Sequence, residues 1–217
     1  MNPLFAAFVK AGDVILLYPF HRILHHQQVH NKKFKRTFRA ITRNKNYKNL
    51  YKGIGFQLAQ SSINRYADAS IYNAYGTGTE AICLSSLFKC FTYPLHTCEI
   101  YYQLNNKYLY KPHQLYKGYM PFMLTNAFAY YIWWTSLNYY NSHYKCKNSK
   151  QQKCINGFLS GITVDICVHP LRVIKTNLQN QTKLINLFKS GGIAYRGFGT
   201  KIFLSGIQSA IFNVFVQ

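Results

Sequence analysis

Apolar and polar positions along the chain sort into long stretches with helical spacing, separated by short basic links. Residues 4 to 30 read as one helix, with Phe5, Phe8, Ile15 and Leu16 apolar and Pro19 near its lower end. A proline inside a helix removes one backbone hydrogen bond and kinks the rod, which membrane helices tolerate because neighbours re-satisfy the freed groups. Residues 32 to 43 predict a short amphipathic helix, with Phe34, Phe38 and Ile41 on one side and Lys35, Arg36, Arg39 and Arg43 elsewhere. That pattern suits an anionic lipid surface. A second long helix is expected over 54 to 75.

The cycle then returns. A helix over about 79 to 104 carries Pro94, a basic link holds Lys107, Lys111 and Pro112, and a helix over about 120 to 141 holds Trp133 and Trp134. A polar linker is expected from Asn141 to Asn156. The third cycle runs from Gly157 through Pro170 to Gln179, then a link to Gly192, then a last helix from 198 to the end. Six long helices, with a short surface helix in each cycle, make an all-α fold of three hairpins around a common axis.

Two spaced elements recur in these cycles. A proline leads nine residues later to a glutamine three times: Pro19 to Gln28, Pro94 to Gln103 and Pro170 to Gln179. Each pair is followed by an aromatic-basic-glycine triplet: Tyr51-Lys52-Gly53, Tyr116-Lys117-Gly118 and Tyr195-Arg196-Gly197. Self-similarity at a fixed period marks repeat architecture and takes precedence over local readings. The repeats divide as 1–76, 77–147 and 148–217.

Charge narrows the partners. Lys and Arg total 26 against five acids, Asp13, Asp68, Glu80, Glu99 and Asp165. A net charge of +21 invites nucleic acid or anionic lipid. The chain is also 48% hydrophobic and 17% aromatic, too apolar for a disordered basic tail. Nine basic residues and no acid lie between Lys32 and Lys52, and no nucleic-acid motif accompanies them, so a lipid-contacting face is the simpler reading. No clean run of 18 apolar residues occurs, which argues against a single-span anchor but not against a bundle with polar interior faces.

The six cysteines form no CxxC, and most lie in apolar stretches as small buried hydrophobes. Cys146 and Cys154 share a polar loop, where an oxidising compartment would allow them to pair. His25, His26 and His30 lack a nearby carboxylate or Cys to complete a metal shell, so no metal is expected. No nucleophile-base pair, phosphate loop or paired carboxylates support an enzyme, and no cofactor is implied. Met1-Asn2-Pro3 runs straight into apolar residues, so any organelle address is expected to be internal.

The third cycle carries the clearest likeness to a known family. Gly157-Phe158-Leu159-Ser160-Gly161 and His169-Pro170-Leu171-Arg172-Val173-Ile174-Lys175-Thr176-Asn177-Leu178-Gln179 resemble the mitochondrial carrier signature, a proline, an acid two residues on, a base three further on and a closing glutamine. Tyr195-Arg196-Gly197-Phe198-Gly199 looks like the triplet that opens the family's even-numbered helices. The likeness extends to all three cycles. It implies six transmembrane helices in three pseudo-symmetric repeats, short matrix-side surface helices, an inner mitochondrial membrane location and both termini facing the intermembrane space. It further implies cardiolipin held at the triplet residues and the surface helices. Helix N-termini suit such phosphates through free N–H groups and the positive dipole end.

The resemblance also implies a matrix gate of acid-base pairs at the kinked helices, braced by the glutamines, and this chain departs from it. The acid positions hold His21, His96 and Arg172, and the base positions hold Leu24, Glu99 and Lys175. In the family's pairing, His21 faces Glu99 as an inverted pair, His96 faces Lys175, and Arg172 faces Leu24. The opposite gate would fall on Asn73, Asn138 and Gln217, with Gly76 and Asn141 at base positions, and no charge survives there. Substrate-contact positions would be Gln60, Thr125, Asn126 and Leu204, none of them charged. Asp13 and Asp165 sit inside predicted helices, either as remnants of a transport path or as partners for cations such as Lys10.

These departures lead to two expectations. The first is a carrier-fold protein that no longer transports and serves as an accessory subunit of an inner-membrane assembly, a respiratory-chain complex being the most abundant. The second is an active carrier whose positive matrix end (Arg172, Lys175) favours a small anionic substrate.

Overall fold

In the computed structural model, residues 2–30, 32–43, 46–76, 78–105, 107, 111–144, 149–181 and 195–215 are described. Every regular element among them is helical: α1 (Pro3–His30), α2 (Phe34–Ile41), α3 (Ile54–Tyr75), α4 (Thr79–Asn105), α5 (Pro112–Leu115), α6 (Tyr119–His143), α7 (Ser149–Gln179) and α8 (Phe198–Phe215), with a 3-10 turn at Tyr47–Tyr51. The six long helices match the sequence expectation to within two residues at most ends. The main difference is the polar linker, which shrinks because α6 extends to His143 and α7 begins at Ser149. Lys150, Gln151, Gln152 and Lys153 are strong helix formers and add a solvated turn to the apolar helix behind them. The surface helix of the second cycle is a single turn, and the link of the third lies outside the described residues. Cys146, which shares a polar loop with Cys154 in the sequence, also lies outside them.

The long helices pack in chain order, and α8 returns to α1, so they form a closed ring. The three proline-bearing helices α1, α4 and α7 also touch one another pairwise. Each continues through its proline. Two helices, Pro3–His30 and Lys150–Gln179, are long and apolar enough to cross a membrane, with mean hydropathies of 1.4 and 1.3. Charged and amide residues such as Gln60, Asn64, Arg65 and Asp68 on α3 lower the hydropathy of the others.

Three equivalent contacts tie the proline helices to the triplets. The residue before each proline reaches the carbonyl of the triplet's basic residue: Tyr18 donates to Lys52 O (2.7 Å), Tyr93 donates to Lys117 O (2.5 Å), and His169 Nε2 meets Arg196 O (3.1 Å). A side chain thus satisfies the carbonyl at each turn. The triplet glycine then starts the next helix at positive φ: +87° at Gly53, +80° at Gly118 and +72° at Gly197. Each also lies against the following proline helix. A Cβ at Gly118 would stand 3.1 Å from Lys175 O, and one at Gly197 would stand 2.8 Å from Leu24 Cδ1. Conformation and space both demand glycine there.

Close approach recurs between α7 and α8. A Cβ at Gly161 would fall 2.6 Å from the backbone oxygen of Ser205, and one at Gly206 would enter the ring of Phe158. Small residues let the two backbones approach, the dominant packing device where helices meet in lipid. The exterior is rich in exposed Phe8, Leu16, Phe91, Met120, Tyr131 and Phe203. α2 lies on α1 through Phe38 and Ile41, packed with Ile23 and Leu50, and leaves Lys35, Arg36 and Arg39 exposed.

Candidate functional site in the ring interior

At the end where α1, α4 and α7 converge, a hydrogen-bonded chain crosses all three. Lys175 Nζ of α7 lies 2.8 Å from His96 Nε2 of α4. An ammonium only donates, so Nε2 accepts and the ring proton sits on Nδ1. That proton faces Glu99 Oε2 at 3.3 Å. Glu99, fully buried, takes a second bond from Gln103 Nε2 (2.8 Å). Gln103 also donates to Tyr18 OH of α1 (2.7 Å), while its carbonyl oxygen meets His25 Nδ1 of α1 at 2.6 Å. Every amide and hydroxyl in the chain thus has one consistent role, as a buried polar network requires.

The other two glutamines act in the same place. Gln28 accepts from Thr176 of α7 (2.8 Å), and Gln179 donates to Thr97 of α4 (3.4 Å). All three are buried, and each bridges to a different proline helix. Each glutamine thus bonds to another proline helix, and of the three Gln103 is the one bonded to an expected gate residue, Glu99.

The pairings expected from the family pattern come out differently. His96 and Lys175 meet as expected and bond through the neutral ring, so the contact is attractive. His21 does not meet Glu99: its Nε2 pairs instead with Gln208 Nε2 of α8 at 2.8 Å, while Glu99 is held by its own helix. The cause is local, since His96 is one turn from Glu99 and occupies its free oxygen first. Arg172 ignores Leu24 and pairs with Asp165 one side of the same helix up; Leu24 packs with Leu17 and Leu204.

At the opposite end, Asn73 and Asn138 are exposed, Gly76 caps α3, and Asn141 accepts from Asn156 Nδ2 (2.8 Å). Gln217 lies outside the described residues. The triplet tyrosines Tyr51, Tyr116 and Tyr195 are exposed, as a lipid-facing rim would need. Tyr51 stacks on Tyr18 at 6.3 Å, and Tyr116 lies 6.2 Å from Tyr93. The remaining histidines are structural in geometry: His26 Nε2 meets Gln103 O at 3.2 Å, and the His26 and His30 rings lie 5.7 Å apart.

Between the two ends lies a cavity of about 260 Å³. Its charged lining comprises Lys10, Asp13, Arg65, Asp165, Arg172 and Lys201. Lys10 pairs with Asp13 at 2.6 Å, and Lys201 lies 3.7 Å from the carboxylate that Arg172 holds. Of the four expected substrate positions only Asn126 lines the cavity; Gln60, Thr125 and Leu204 are buried in helix packing. The sequence reading passed over Lys201 and Gln208. Their signal was present: Lys201, Ser205 and Gln208 form a polar stripe at helical spacing in an otherwise apolar α8.

A second buried cluster joins α3, α4 and α6. Asp68 accepts from Tyr130 OH (2.8 Å) and from Ser85, and pairs with Lys89 at 3.1 Å. Lys89 also contacts Tyr130, over whose ring its nitrogen sits at 4.2 Å. Neither Asp68 nor Lys89 was singled out from sequence, because nothing in their spacing links residues on two different helices.

Among the described residues a closed ring of helices surrounds a charged interior with an apolar aromatic exterior, and two of the helices are long and apolar enough to cross a membrane. The family profile described as Mitochondrial carrier protein matches residues 147–217, the segment holding α7 and α8, so this part of the chain is similar to that family. That family comprises membrane transporters of the inner mitochondrial membrane, not enzymes. No curated protein matches the chain.

Proposed function

We propose that the chain is a six-span, three-repeat carrier-fold protein, with repeats at 1–76, 77–147 and 148–217, that has ceased to alternate between two open states. It acts as an accessory subunit of a larger inner-membrane assembly, a respiratory-chain complex. Both termini face the intermembrane space, and cardiolipin occupies the triplet rim. One observation carries this reading: the ends of the ring are unequal. The end holding Lys175, His96 and Glu99 is knit across three helices, whereas Asn73, Gly76, Asn138 and Asn141 offer no ionisable group to close the other. A neutral hydrogen bond contributes only about 0.5–1.5 kcal/mol net, too little to compete with the knit end and drive a switch.

The experiment is purification in mild detergent. Stoichiometric co-migration with a respiratory complex on a blue-native gel supports the reading; migration solely as a free monomer refutes it. A second reading, exchange of a small anion, draws support from the cationic cavity. Saturable, substrate-specific exchange in liposomes would establish it and displace the accessory role.

A further inference from the structure

We infer that the contact between Lys175 and His96 is an acid-released latch: it ties α7 to α4 while the imidazole is neutral and opens when that ring takes up a proton. The latch goes beyond the accessory role and belongs to the folded chain itself.

The atoms that can donate decide the matter. Lys175 Nζ lies 2.8 Å from His96 Nε2, and Nδ1 of the same ring lies 3.3 Å from Glu99 Oε2. An ammonium has three donors and no acceptor, and a protonated imidazole donates from both nitrogens. One proton on Nε2 therefore sets two cationic donors facing each other across 2.8 Å. Neither nitrogen of the charged ring can accept, so no rotation of either group restores the bond. Glu99 steadies the charged ring from its other side, which makes the lysine the partner that leaves.

The other buried histidines keep their contacts under the same proton. His25 Nδ1 meets the amide oxygen of Gln103 at 2.6 Å, His26 Nε2 meets Gln103 O at 3.2 Å, and His169 Nε2 meets Arg196 O at 3.1 Å. In each the ring donates to an oxygen, and a charged ring donates more strongly. His21 Nε2 accepts from the Gln208 amide at 2.8 Å, and that amide can turn its oxygen to a charged ring. Lysine has no such second face. Among these histidines the inversion is confined to position 96.

The surrounding charges favour release. Lys175 acts on His96 from α7, and His21 and His25 act on it from α1. Arg172 of α7 and Lys201 of α8 repel Lys175 in turn, with Glu99 opposing them. From α6 the ring of Phe122 lies 6.2 Å from His96 and 5.5 Å from Lys175 Nζ, while α3 meets α4 one turn away through Asn64 and Thr92 at 2.7 Å. A carboxylate at position 96 would hold Lys175 down to about pH 4, whereas an imidazole ordinarily changes charge near about pH 6.5. Histidine at this position thus makes the joint responsive to mild acid.

Thermal unfolding of the purified full chain in one detergent tests the latch at about pH 8 and about pH 5.5, on either side of the ordinary imidazole range. Lys175→Met should lower the unfolding temperature in the alkaline sample, where it removes a bond, and raise it in the acid sample, where it removes a repulsion. His96→Gln is the control: its amide oxygen can accept from Lys175, its amide nitrogen can donate to Glu99, and it does not titrate. In that background Lys175→Met should lower the midpoint equally in both samples. An effect of Lys175→Met that keeps its sign and size across the two samples while His96 is present overturns the inference. A reversal that persists in His96→Gln overturns it too, by assigning the titration to another group. Nitrogen-15 shifts of the histidine rings provide a reading that does not need the glutamine variant to fold. One ring should pass from neutral to doubly protonated over the range in which the Lys175→Met effect changes sign, and a spectrum in which none does overturns the latch. Co-migration with a respiratory complex without the reversal removes the latch alone; the reversal in a chain that migrates solely as a monomer keeps the latch and removes the accessory reading.

Discussion

The ammonium of Lys175 on α7 lies 2.8 Å from the imidazole Nε2 of His96 on α4, and the far nitrogen of that ring faces Glu99. A neutral ring thus stands between a cation and a carboxyl group on neighbouring helices. The contact joins α4 and α7 at the end where the proline-bearing helices converge, beside the bond from Gln179 to Thr97.

His96→Ala should lower stability more than Lys175→Met. The alanine leaves the ammonium and Glu99 with unmet bonding, and a hydrogen bond to a charged group is worth about 1.5–3 kcal/mol. Methionine removes the charge together with its need. Thermal unfolding of the purified variants in one detergent checks the order, and the reverse order would refute the relay.

Tyr18→Phe should cost more than Tyr93→Phe. Tyr18 donates to Lys52 O and accepts from Gln103 Nε2, both at 2.7 Å, whereas Tyr93 donates to Lys117 O and otherwise meets Thr97 and Gln179, which also bond to each other. We expect about 1–2 kcal/mol for Tyr18 and about 0.5–1.5 kcal/mol for Tyr93. Equal midpoints in a thermal melt would show that Gln103 finds another partner.

Gly118→Ala should destabilise and Gly12→Ala should not. Gly118 combines φ of +80° with a Lys175 carbonyl 3.1 Å from the added carbon. Strain of this kind costs about 1–3 kcal/mol. Gly12 is helical and exposed with open space around it, so alanine there should gain about 0.5–1 kcal/mol. Paired unfolding curves decide the sign of each.

Asp68→Leu should be among the most damaging single changes. It strands Lys89 between three helices, and removing one member of a buried pair costs about 3–5 kcal/mol. Asp68→Leu with Lys89→Met should recover most of that loss. A double-mutant cycle measures the coupling, and an additive result would mean that the two do not act together.

The third cycle illustrates how far sequence reaches. Pro170 and the Tyr195-Arg196-Gly197 triplet announced helix and turn, because each depends on local backbone chemistry: a ring without an N–H, a positive φ, a helix start. The partner of Gln179 was not legible. Thr97 is 82 residues away, and only the docking of α7 against α4 sets it. The His21–Glu99 pair failed for the same reason. Helix rotation and rotamer choice placed His96 nearer Glu99 and Gln208 nearer His21.

The amino-acid sequence by itself determined the number of long helices, most of their ends and the threefold recurrence of the proline-glutamine and triplet spacings. Those properties follow from periodicity and residue type along one chain. The tertiary structure alone decided which polar groups meet: the lysine-histidine-glutamate chain and the Asp68–Lys89 cluster. A buried charge must find its partner across helices, and that choice depends on distances of a few ångströms that no linear spacing encodes.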